Sequence, residues 1–239
     1  MDRDEAVVER MQALIERWEA ANDLRAIFLR CYVLMTRNML AALTAQDFED
    51  NLWVASLLRH FADYYFKALD AYDQEQTNIP PVWGIAFDAT RRPHTHVLQN
   101  LVLGVNAHIN YDLVFALEDM LRPEWQGLSA EQRRMRYHDH CHVNDIIFQT
   151  IDNVQDQIID RYSVALEVAD VMLGPLDEWM TSRLISLWRD EVWEFATKLS
   201  ETDEQVDRVE LHQHIEQRTM KRAHSILGEE GVRGLIELI

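Results

Sequence analysis

The chain has 239 residues, with 23 Lys and Arg against 41 Asp and Glu, for a formal net charge of −18. That acidity repels phosphate backbones and anionic lipid, so nucleic acid and membrane are not expected as partners. Two cysteines exclude a disulfide scaffold, and the length is enough to bury a substantial core.

The chain opens MDRDEAVVER, which lacks the apolar centre of a signal peptide, and a reduced cytoplasmic setting is expected. No uninterrupted apolar run approaches the ~18 residues of a membrane span. Seven Gly and five Pro are sparse punctuation, as long helices require. Ala6, Val7, Met11, Leu14, Ile15 and Trp18 recur at helical spacing. A second helix is predicted from about Asp23 to Leu43, and a third from about Phe48 to Tyr72 with Leu57, Leu58, Phe61, Tyr65 and Leu69 on one face. Asn78 to Pro81 breaks the pattern, and Pro81 with Trp83 opens a short helix to Ala89.

After Arg91-Arg92-Pro93 comes a helix from about Thr95 to Leu121. Ser129 with Gln132 forms a capping box for the next one, whose later part carries Ile146, Ile147, Ile151, Val154, Ile158 and Ile159. Gly174-Pro175 precedes a long helix from Leu176 to Leu199, and another runs from about Glu204 to Leu227, where Gly228 reads as a helix stop. No segment alternates as a strand would. The expectation is a single all-α domain, a bundle of about eight to ten helices over 1–239, with its core at about 25–200 and C-terminal helices at 203–239.

Leu101 to Leu117 reads LVLGVNAHINYDLVFAL and sets Asn106, His108, Asn110 and Asp112 into an apolar run. Buried polar side chains cost free energy unless each finds a partner. On a helix, His108 and Asp112 share one stripe, and Asn106 and Asn110 share the next. A second concentration, Tyr137 to Asp145, places His138, His142 and Asp145 on one helical face. Imidazole and carboxylate suit zinc, iron or manganese, so His108, Asp112, His138 and His142 are candidate metal ligands. Helical His-x-x-x-Asp pairs are also ordinary hydrogen bonds, and histidines on an Arg-rich helix are commonly solvated. The two asparagines could equally cross-link neighbouring helix backbones.

Several further matches stand in order along the chain. Phe61-Ala62 with Tyr65 and Pro81 with Trp83 lie upstream of Gly104 to Asn110 and Asp112-Leu113. Downstream come Asp139 with Val143-Asn144-Asp145, Asp152 with Val154-Gln155, and Arg189 with Trp193. In this pattern, over roughly residues 25 to 200, the chain resembles domain-of-unknown-function family 5995. It departs from it at His140 and His142, where the family commonly has an aromatic residue and an Arg. The resemblance implies a helical fold and a shared polar centre at His108, Asn110, Asp112, Asp139 and Asn144, and supplies no reaction.

The expected function is an enzyme acting on a small, largely apolar molecule between helices, by cyclisation, hydrolysis or another tailoring step. His108, Asp112 and Asp139 are the candidate catalytic residues: His108 as acid/base or ligand, Asp112 as its orienting carboxylate and Asp139 as a second carboxylate. Asn106, Asn110, Asn144, Tyr65, Trp83 and Arg189 are the candidate substrate contacts. Two alternatives stand beside it: a non-catalytic small-molecule binding protein, and a polar cluster that only fixes helix register. Self-association is compatible with either.

Overall fold

The computed structural model describes residues 3–93, 95–154, 158, 162 and 178–228. Its described elements are all helical: α1 (Arg3–Ala20), α2 (Arg25–Ala45), α3 (Asn51–Asp73), α4 (Pro81–Ala89), α5 (Val97–Ala107), α6 (Leu113–Leu121), α7 (Ala130–Val154), α8 (Glu178–Glu201) and α9 (Gln205–Leu227). A π-helical segment, His108–Asp112, joins α5 to α6, so α5, the π segment and α6 are one rod and the rods number eight among the described residues. The expected break at Gly174-Pro175, the matches at Asp152 and Gln155, and Ile159 lie outside the described residues or side chains.

Local sequence accounts for most boundaries. Asp50 caps α3 by accepting the Trp53 N–H at 3.0 Å. Pro81 occupies the first turn of α4, where its missing N–H costs nothing. The predicted Ser129 capping box is present: Gln132 N–H donates to the Ser129 hydroxyl at 3.2 Å, and the Gln132 side chain accepts the Ser129 N–H at 2.9 Å. A box the sequence reading missed starts α5, where His96 stands in for the usual hydroxyl and Gln99 returns to its N–H. Gly228 ends α9 in an extended conformation rather than the left-handed one a stop glycine usually takes.

Two apolar cores divide the interior. One gathers α1, α4, α5, the middle of α3 and the first half of α2; the other gathers α6, α8, the start of α3 and the end of α2. Ile109 and Tyr111 of the π segment pack against both, which puts that segment at the seam. By length and composition α2 could also cross a membrane, with mean hydropathy 1.3, but half of that window is buried inside the bundle. Gly104 sets how closely α5 meets α2: a Cβ there would stand 2.4 Å from the Phe28 ring, a distance real atoms do not reach.

Candidate functional site

The sequence predicts an unbroken α-helix through Asn106 to Asp112; the structure opens it into one wider turn. The Leu113 N–H bonds back to the His108 carbonyl, five residues earlier instead of four. Single π turns are uncommon and recur at functional sites, because the extra residue re-aims side chains that a regular helix would hold in line.

His108 is 4 % exposed and Asp112 1 %. His108 Nδ1 stands 2.9 Å from Asp112 Oδ2, and Trp83 Nε1 donates to both carboxylate oxygens at 2.9 and 3.1 Å. The imidazole lies flat on Phe61, with ring centres 3.6 Å apart and planes at 8°, while Tyr32 meets it edge-on at 4.3 Å. Burial in this aromatic box pushes His108 well below its ordinary range and Asp112 well above its own. The favoured state is therefore net neutral. One proton then lies between Asp112 and Nδ1, and Nε2 keeps its hydrogen. Nε2 is buried and has no hydrogen-bond partner among the described residues, and the same holds for the neighbouring Tyr32 hydroxyl. Orphaned buried donors are rare enough to call for a partner.

His108, Tyr32 and Phe61 belong to the wall of a cavity of about 220 Å³ between α2, α3, α5, α7 and α8. Most of the wall is aliphatic or aromatic, including Met35, Leu57, Leu101, Val105 and Ile147. An apolar cavity of ~150 Å³ suffices to stay dry and take up benzene, so this one has room for a larger apolar molecule. Arg189, His140, Asp139 and the hydroxyl residues Thr36 and Thr150 are its other polar members among the described residues.

The remaining predicted residues divide. Tyr65 and Trp83 sit behind the box, 6.0 and 6.2 Å from the His108 ring, and support the dyad without lining the cavity. Asn106 and Asn110, expected as substrate contacts, turn to α9 instead. Asn110 donates to Asn106 at 3.0 Å, Asn106 to the Thr219 carbonyl at 3.1 Å, and the Thr219 hydroxyl returns to the Asn110 carbonyl at 3.1 Å. They are the backbone cross-link that the sequence left as the alternative.

Asp139, expected as a second carboxylate, accepts the Glu49 and Asp50 N–H groups at 2.8 and 2.9 Å and so pins the turn into α3. Asn144 accepts from Arg189 Nε at 2.7 Å. The four candidate metal ligands do not meet. His138 is 67 % exposed beside Glu49, and His142 pairs with Asp145, both away from the buried dyad. No group of three or more His, Cys, Asp or Glu among the described residues is arranged to hold a metal.

Sequence reasoning missed Tyr32 and the role of His140. Tyr32 sits at helical spacing with Phe28 and Met35, a pattern indistinguishable from core filling. His140 is buried, donates from Nε2 to the Arg189 carbonyl at 2.9 Å and faces Arg189 Nη2 with Nδ1. Burial and the Arg189 charge hold it neutral, well below its ordinary range.

The stretch from Gly104 to Leu113 thus carries a dyad and a helix clamp on adjacent faces, and it is one of the matches on which the sequence resemblance rests. The family described as "Family of unknown function (DUF5995)" matches residues 5–229. The chain belongs to that family. The match is wider than the 25 to 200 read from the motifs and takes in α1 and α9. No curated protein and no solved structure matches the chain.

Proposed function

We propose that this family member is an enzyme that takes a largely apolar small molecule into the cavity and moves a proton on it through His108. The observation that carries the reading is His108 Nε2, a buried polar atom without a partner among the described residues, on a ring that forms part of the cavity wall. The Asp112–His108 pair has the orienting geometry of acid/base dyads: the carboxylate fixes one ring nitrogen, and Trp83 fixes the carboxylate. In its net-neutral form Nε2 is a donor, so the first act is to hydrogen-bond or protonate an acceptor on the substrate. Once that proton has left, Nε2 is a base backed by an ionised Asp112. Cyclisation, hydrolysis and other tailoring steps all include such a transfer.

Mass spectrometry of apolar metabolite panels incubated with the protein or with His108→Gln tests the proposal. Gln keeps a donor near Nε2 but cannot relay a proton, so a product should form only with the unaltered chain. Identical product profiles would overturn catalysis. The second reading, a binding protein, is favoured by one observation: Asp139, Asn144, Asn106 and Asn110, the other polar residues expected at the site, are all bonded to protein groups. That reading predicts uptake of a neutral fluorescent probe such as N-phenyl-1-naphthylamine with no turnover of any panel member.

A further inference from the structure

The cavity has a second polar region, which the dyad does not use. Arg189 on α8 is 5 % exposed and forms part of the wall. Its Nε is bound by Asn144 and its Nη2 by the His140 carbonyl, both neutral acceptors. Nη1 has no hydrogen bond among the described residues, and no described carboxylate stands within ion-pair distance. Asp139, on the same wall, is already held by two backbone N–H groups. Asp190, the adjacent residue, acts on Arg189 only through space. Burial lowers the guanidinium to about 10, so it remains a cation at neutral pH. A buried cation left uncompensated is expensive, and a guanidinium presents a planar fork that matches a carboxylate.

We infer that the molecule bound in this cavity is an apolar-chain monoanion, in its simplest form a carboxylate, with its head on Arg189 and its chain running toward His108. The extent of the cavity along α3 and its lining support this. Phe61, stacked on His108, and Trp53 both line the cavity and stand eight residues apart on α3, about 12 Å along the axis. That is close to the extended length of a ten-carbon chain. The rest of the wall is mainly aliphatic and aromatic, as a hydrocarbon needs, with the Thr36 and Thr150 hydroxyls bonded to carbonyls of their own helices. In this placement the neutral donor at Nε2 meets the far end of the chain rather than the charged head.

This inference rests on the proposed uptake of an apolar molecule, and one experiment separates the two. Decanoate and decanol are titrated into the full-length protein, with binding read from Trp53 and Trp188 fluorescence and by calorimetry. Decanoate should bind about ten to a hundred times more tightly than decanol, the range expected for a charge-assisted contact. Arg189→Gln should abolish that preference, while Arg189→Lys should keep part of it. Because the preference is a ratio within one protein, a variant of lower stability still reports it, and melting curves identify any that fail to fold. Equal binding of acid and alcohol, or a preference that survives Arg189→Gln, overturns the anion and leaves apolar uptake standing. Binding of neither overturns both.

Discussion

The two polar stripes that run from the end of α5 into the π segment are built at the same spacing, yet they end differently. Asn106 and Asn110 close a ring of hydrogen bonds with Thr219 on α9. His108 and Asp112 satisfy each other and Trp83, then leave Nε2 open beside a cavity. The first stripe faces a helix backbone, which offers acceptors at every turn; the second faces aromatic rings, which offer none. Side chains in one segment thus become structural or available according to what packs opposite.

Stability measurements can break that contrast. The largest loss is expected for Asp112→Ala, which strands both the Trp83 Nε1–H and the dyad side of His108, at about 3 kcal/mol from two buried groups left unpaired. A chemical-denaturation midpoint close to that of the unaltered chain would refute the dyad as drawn. Gly104→Ala follows at about 1–3 kcal/mol, because its methyl must displace the Phe28 ring that frames the box. Asn110→Ala should cost about 1–2 kcal/mol, since Asn106 loses its donor. It should leave uptake of a neutral apolar probe unchanged, and a loss of uptake at full stability would reverse the assignment of the two stripes.

The dyad also carries a pH signature. Folded, the pair holds one titratable proton, because burial raises Asp112 and lowers His108. Unfolded, it holds two below 3.8, one between 3.8 and 6.5, and none above 6.5. Stability follows the difference in bound protons, so the contribution of the pair is flat between those values. It declines as pH falls below 3.8, where the unfolded chain binds more, and as pH rises above 6.5, where the folded chain does. The slope is at most about 1.4 kcal/mol per pH unit. Subtracting the profile of an Asp112→Asn, His108→Gln double variant cancels His140 and isolates the effect. A difference that instead rose between 3.8 and 6.5 and stayed flat above 6.5 would mean that the folded dyad is anionic and Nε2 a base at rest. The smallest effect is expected at His138→Ala, within about 0.5 kcal/mol, because its contact with Glu49 is exposed to solvent.

Much of the fold was legible. The helix starts at Pro81 and Ser129 follow from local chemistry, since a proline without an N–H and a hydroxyl that caps one act within a single turn. The position of the candidate site was legible too, because four polar residues in an apolar run must be buried and paired somewhere. Its membership was not. Tyr32 looked like any aromatic of a core helix, His138 and His142 looked as ligand-like as His108, and Asp139 gave no sign that two backbone amides would claim it.

By itself the sequence determined an all-helical chain, through apolar residues at a period of 3.6 and few interruptions, and a buried polar centre at Asn106 to Asp112. Only the tertiary structure decided the π turn, the division of that centre into clamp and dyad, and the shared cavity wall of His108 and Arg189, 81 positions apart in the sequence. Periodicity is a local property that a few turns of chain express. Which buried donor keeps a free valence depends on the atoms that arrive from other helices, and neither spacing nor composition encodes them.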